Sequence, residues 1–138
     1  MKPINTFLTI LFISLLSSPS WSETYDELVY RDGLYYKQFN EDPFTGKITG
    51  NDQGSLKNGR KEGTWVRYWS NGQVRNKGNY KNGEREGAWV SYITNGKLFY
   101  KGNFKNGKAE GTWVYYHLDG TVFKPWGGTF KNGVKISD

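Results

Sequence analysis

The chain has 138 residues, no cysteine, a single histidine, 18 glycines, six tryptophans, ten tyrosines and eight phenylalanines, and its 19 basic against 13 acidic side chains give a formal charge of +6. That length fits one small domain and excludes most two-domain enzyme architectures. Without cysteine there is no disulfide scaffold and no zinc site of the usual Cys/His type. Residues 1–22 carry one charge, Lys2, ahead of the apolar run Phe7 to Leu16, and Pro19 precedes small residues at Ser20 and Ser22 around Trp21. This is the pattern of a secretory signal cleaved before Glu23. The run is too short for a bilayer, which takes roughly 20 apolar residues. With no lipobox cysteine after the cleavage point, the expected address is periplasmic or secreted.

All 18 glycines follow the signal. Such a fraction fits either disorder or a turn-rich β fold, and the aromatic content, with its apolar area to bury, selects the fold. The sequence also repeats. Gly63-Thr64-Trp65-Val66 returns as Gly87-Ala88-Trp89-Val90 and Gly111-Thr112-Trp113-Val114, each step being 24 residues. Lys57-Asn58-Gly59, Lys81-Asn82-Gly83 and Lys105-Asn106-Gly107 keep the same step, and Lys131-Asn132-Gly133 follows after 26, with the extra residues around Pro125-Trp126-Gly127. Asn71-Gly72, Asn95-Gly96 and Asp119-Gly120 interleave with these. Three sets in one register make the period the architecture. The pattern degrades over residues 28–56, where Pro43-Phe44-Thr45-Gly46 stands in the place of Glu62-Gly63. Atypical terminal repeats are expected of such arrays.

Asn-Gly and Asp-Gly between alternating apolar runs predict hairpins, with positive φ at both turn residues. Each unit is then two strands, Thr64 to Trp69 and Gln73 to Tyr80 in the first. Alternation puts Val66 and Tyr68 on one face, Trp65, Arg67 and Trp69 on the other, and groups Val74 with Gly78 and Tyr80. The fold class is all-β: an elongated single-layer antiparallel sheet of consecutive hairpins with period 24, roughly 10 Å per unit. The expected divisions are a signal over 1–22, an N-terminal cap with degenerate repeats over 23–56, and repeats with a C-terminal cap over 57–138. Gly63, Gly87 and Gly111 are read either as room for a neighbouring tryptophan or as bends.

Glu-Gly-x-Trp-Val-x-Tyr, then Asn-Gly, then Lys-Gly-x-(Tyr/Phe)-Lys-Asn-Gly, resembles the bacterial variant of the MORN repeat over residues 57–133, and more weakly over 28–56. The resemblance implies a row of hairpins. Many bacterial members carry the label of YwqK-type antitoxin, and eukaryotic relatives suggest protein scaffolding and contact with anionic lipid. A secretory signal departs from what a cytoplasmic antitoxin requires.

Chemistry is sparse. Nucleophilic catalysis needs a nucleophile, a base and an orienting group, and His117 is the sole imidazole. It occupies the repeat position of Trp69 and Ile93, which reads as sheet surface. Glu62, Glu86 and Glu110 recur at one place in the unit, about 10 Å apart, a structural spacing and not that of a catalytic carboxylate pair. No phosphate-binding motif is present. The sequence therefore implies no catalytic residue, metal or cofactor. It implies a non-enzymatic, exported interaction module that binds another protein, with an antitoxin or immunity role as one form. The alternative is a binder of anionic envelope polymer, glycan or lipid head groups. The candidate binding face is Trp65, Arg67, Trp89, Trp113 and Tyr115, an aromatic and polar mixture typical of interfaces. The candidate basic edge is Lys57, Lys81, Lys105 and Lys131, whose other role is to block edge-to-edge association. The exported address argues against nucleic acid, and the sequence leaves the oligomeric state open.

Overall fold

Two kinds of glycine turn alternate along the chain and set its strands. Asn58, Asn82, Asn106 and Asn132 have φ of 49 to 52°, and the glycines after them have φ of 73 to 87°. These are the paired left-handed residues of a two-residue I′ hairpin. Asn71, Asn95 and Asp119 differ, because only the glycines after them are left-handed. In the first of these loops the Gly72 N–H donates to the Trp69 carbonyl, the Trp69 N–H to the Gln73 carbonyl, and the Gln73 N–H to Asn71 Oδ1. The loop is one residue longer, a type I turn plus a glycine bulge, so the asparagine stays right-handed and its side chain caps the backbone two residues on. The expectation of positive φ at both residues of every turn is corrected at these three positions.

A computed structural model describes residues 22–138. The signal-peptide reading therefore lies outside the described residues, apart from Ser22. The strands are β1 (Ser22–Glu23), β2 (Leu28–Arg31), β3 (Leu34–Lys37), β4 (Gly46–Ile48), β5 (Asp52–Lys57), β6 (Arg60–Tyr68), β7 (Val74–Lys81), β8 (Glu84–Tyr92), β9 (Leu98–Lys105), β10 (Lys108–Tyr115), β11 (Gly128–Lys131) and β12 (Val134–Ser137). Ten of them form one sheet in the order β1-β4-β5-β6-β7-β8-β9-β10-β11-β12. Its neighbours are antiparallel hairpin partners except β1, which runs parallel to β4. The first strand of each unit begins earlier than Thr64, at Arg60, because the I′ turn pairs Lys57 with Arg60 at once. The all-β ribbon of hairpins is the observed fold.

Its N-terminal end is two layers thick. β2 and β3 pair with each other, outside the ribbon, through an Asp32-Gly33 turn of the same I′ kind. With the 3-10 turn Tyr25–Glu27 they pack Tyr25, Leu28 and Tyr35 against buried Phe44, Ile48, Leu56 and Trp65. A lone repeat face cannot bury itself, and this hairpin closes the end.

Along the rest of the ribbon one face carries an edge-to-face aromatic column. Trp65 meets Tyr80 at 6.1 Å, Tyr80 meets Trp89 at 5.2 Å, Trp89 meets Phe104 at 5.9 Å, Phe104 meets Trp113 at 4.9 Å and Trp113 meets Phe130 at 6.3 Å between centroids. Such contacts contribute about 0.5–1.5 kcal/mol each beyond area burial. The two readings of Gly63, Gly87 and Gly111 are now separated: all three have φ of 70° and open space where a Cβ would stand. They are bends, at a register shift where Gly63 to Trp65 bulge opposite Gly54. Room for the indoles comes instead from Gly54, Gly78 and Gly102.

Candidate functional site

The turn edge is built by a clasp. Glu62 accepts the Asn82 N–H at 2.7 Å, Glu86 the Asn106 N–H at 2.9 Å and Glu110 the Asn132 N–H at 2.9 Å. Beside each, the turn glycine donates to the preceding unit: Gly83 to the Lys61 carbonyl, Gly107 to that of Arg85 and Gly133 to that of Ala109. At the degenerate end Thr45 replaces glutamate, taking the Asn58 N–H at 2.8 Å, and Gly59 donates to the Phe44 carbonyl. The recurring carboxylates are thus turn acceptors, each occupied by a backbone amide. The strand before each clasped turn ends in Lys57, Lys81, Lys105 or Lys131, all exposed and in one row on this edge.

The candidate binding face sits elsewhere than the sequence suggested. Trp65, Trp89 and Trp113 are only 4–5% exposed, because each indole covers a glycine of the preceding strand and is flanked by a ring of the following strand. They are interior, and the expectation of an open tryptophan stripe is corrected. Arg67 forms a two-pronged pair with Asp52, at 2.5 and 2.8 Å, which holds the guanidinium in its charged form. Tyr115 is half-buried against Tyr100 and Trp126, and burial raises its phenol pKa.

Cations fill the corners between rings. Lys61 Nζ lies 4.4 Å from the Trp65 ring, 5.0 Å from Tyr80 and 5.4 Å from Tyr25. One unit later the Arg85 guanidinium stands 4.8 Å from Trp89 and 5.1 Å from Phe104. Burial lowers the Lys61 pKa, while the facing π-clouds favour the charge. Lys61 and Arg85 lie outside the basic edge of Lys57, Lys81, Lys105 and Lys131. Their position four residues before each buried tryptophan was the signal for this other role.

His117 shows no catalytic neighbourhood. Its N–H closes the loop on the Thr121 carbonyl and its ring meets Phe123 edge-on at 4.8 Å. The nearby Asp119 carboxylate accepts the Thr121 N–H and hydroxyl, bonds that hold its pKa below the ordinary range. Among the described residues no group of His, Asp and Glu side chains assembles as a metal site.

The loop after β10 holds a surface that sequence reasoning missed. Leu118, Val122 and Trp126 are 73%, 52% and 58% exposed. Trp126 packs on Phe123 at 5.0 Å and Tyr115 at 5.8 Å. With Ile93, Leu98 and Phe99 from the loop and strand before, this region lines an apolar depression of about 230 Å³. The two-residue insertion in the last repeat was its trace, and nothing in that spacing announced apolar exposure.

A family model described as MORN repeat variant matches residues 61–82 and 85–106, the segments that contain most of β6 with β7 and most of β8 with β9. No curated protein matches the sequence. The matched segments coincide with the two hairpins whose clasps and buried tryptophans recur most regularly, so this part of the ribbon is similar to the MORN repeat variant.

Proposed function

We propose that the protein is an exported, non-enzymatic interaction module that binds another protein through the apolar cluster of Leu118, Val122 and Trp126. The observation that carries this reading is the exposure of all three in one loop, beside an apolar depression that Leu118 and Trp126 help to line. Clustered apolar exposure of this kind marks interaction sites, and an aromatic anchor beside a depression suits a partner's side chain. The absence of a catalytic arrangement around His117 supports a binding role. An immunity-like function, in which the partner is a toxin acting outside the cytoplasm, is the specific form suggested by the resemblance to antitoxin-labelled relatives.

The test is paired capture from envelope extracts with the wild-type chain and with Leu118→Asp/Trp126→Asp. A partner recovered only by the wild type sustains the reading, and a partner retained equally by both overturns it. N-terminal sequencing checks the export component: Glu23 at the mature terminus is expected, and Met1 on the envelope-associated chain refutes processing.

A further inference from the structure

The face opposite the aromatic column carries a groove that the protein's own packing leaves unused. Its small-residue row is Thr64, Ala88 and Thr112 on β6, β8 and β10, and its amide row is Asn79 and Asn103 on β7 and β9, with Thr64 opposite Asn79 and Ala88 opposite Asn103 in register. One row along, Val66 faces Lys77 and Val90 faces Lys101. The hollow has a volume of about 640 Å³, and its lining contains Lys77 and Lys101 but no aspartate or glutamate. Both lysines are exposed, and neither has an ion pair or hydrogen bond among the described residues. The glutamates of the same face, Glu62, Glu86 and Glu110, are turned to the turn amides.

We propose that this groove binds an acidic glycan laid along the ribbon axis, across the strands. This deepens the anionic-polymer alternative read from the sequence and moves it from the lysine edge to the sheet face. It is independent of the apolar cluster. The direction follows from the rows: equivalent residues recur every two strands, roughly 10 Å apart, close to the length of one extended disaccharide. A sugar acid in every second residue then meets Lys77 and Lys101 in turn. Ring C–H faces rest on Ala88 and Val90, and hydroxyls reach the carboxamides of Asn79 and Asn103. Asn79 Oδ1 already accepts the Thr64 hydroxyl at 2.8 Å, which leaves its NH₂ outward as a donor.

Other anionic chains fit less well. A peptide adds to a sheet at an edge, whereas β6 to β10 are paired on both sides, so a peptide crossing them finds no backbone partners. Single-stranded nucleic acid needs aromatic platforms for its bases, and of the two aromatic residues in the lining, Trp89 and Tyr92, Trp89 is buried in the column on the other face.

The experiment titrates the described chain, residues 22–138, with a hyaluronan octasaccharide, a neutral chitin oligosaccharide of equal length, poly-glutamate and oligo-dT, followed by NMR shifts of the Asn79 and Asn103 side-chain amides. Expected are saturable shifts with the hyaluronan probe. Lys77→Gln/Lys101→Gln should weaken binding by about tenfold, roughly the loss of two exposed ionic contacts, and the neutral sugar should bind more weakly than hyaluronan by a similar factor. Ala88→Phe, which fills the floor at an exposed position, should abolish the shifts while circular dichroism stays unchanged. Equal binding of the double variant, tighter binding of poly-glutamate or oligo-dT, or no amide shift with hyaluronan overturns the proposal. None of these outcomes bears on the Leu118 and Trp126 capture.

Discussion

Gly78 lies directly beneath the indole of Trp89: a Cβ on this glycine would stand 2.2 Å from Trp89 Cδ2. The same relationship joins Gly54 to Trp65 and Gly102 to Trp113, so each tryptophan is buried by the absence of a side chain on the strand before it. Gly78→Ala forces the indole out of the column and is expected to cost about 1–3 kcal/mol or more, the range for overpacking. Gly87→Ala meets open space and only the strain of φ 70°, about 1–2 kcal/mol. Urea unfolding of the two variants checks the order, together with loss of the near-ultraviolet tryptophan signal in Gly78→Ala alone.

The three buried indoles differ in one bond. Trp89 Nε1 donates to the Asn79 carbonyl and Trp113 Nε1 to that of Asn103, both at 3.1 Å, whereas Trp65 Nε1 is buried with no partner among the described residues. Trp89→Phe should therefore cost about 1 kcal/mol more than Trp65→Phe, the net contribution of a typical hydrogen bond. Truncation removes more: Trp89→Ala should cost roughly 3–5 kcal/mol, against about 0.5 kcal/mol or less for exposed Lys81→Ala. Chemical denaturation of the four variants gives the comparison.

Glu86 holds the Asn106 amide across the turn edge. Glu86→Ala leaves that N–H to water at an exposed turn and should cost about 1 kcal/mol or less. Glu86→Gln keeps an acceptor oxygen in place and should recover most of the loss. Hydrogen exchange at the Asn106 amide reports the bond directly, with protection lost in the alanine variant and kept in the glutamine variant.

Burial moves Lys61 and the phenols of Tyr25, Tyr35 and Tyr115 in opposite senses. The folded Lys61 pKa lies below its unfolded value, so the folded state binds fewer protons in that window, and stability rises with pH up to about 10.4. The tyrosines have folded pKa values above the unfolded one, so their contribution is intact below about pH 10 and is lost as the pH climbs further. Denaturant midpoints measured from pH 7 to 12 should rise and then fall. Lys61→Met should remove the rise, and Tyr25→Phe should shallow the fall.

The period, the strands and the I′ turns were legible because each is written as a local string, such as Lys81-Asn82-Gly83, whose geometry depends on adjacent residues alone. The exposure of Trp89 was not, because alternation assigns a side chain to a face without saying what covers that face. The cover is Gly78, in the unit before. The ion pair of Arg67 was hidden for the same reason: its partner Asp52 lies across a strand pair whose register includes the bulge of Gly63 to Trp65 opposite Gly54. The apolar cluster at Trp126 lies in the segment where the period breaks, and a broken period carries no positional information. The groove on the far face is written in the sequence as Lys77 and Lys101, one repeat apart, but no turn dipeptide adjoins them to mark their place in the unit.

The clasp also bears on how such a chain changes length. Each turn is held by an acceptor carried in the unit before it, Glu62 for Asn82 and Glu86 for Asn106, and every indole finds its glycine one strand back. Excision of residues 84–107 joins Gly83 to Lys108 and leaves Glu62 with Asn82, Glu110 with Asn132 and Trp113 over Gly78. A duplication of the same stretch likewise supplies its own donors and acceptors. The gene can thus grow or shrink in steps of 24 codons without orphaning a backbone amide or a ring. The ends are exempt from this arithmetic, since the β2–β3 hairpin and the Trp126 loop each close the array with contacts that no inner unit reproduces.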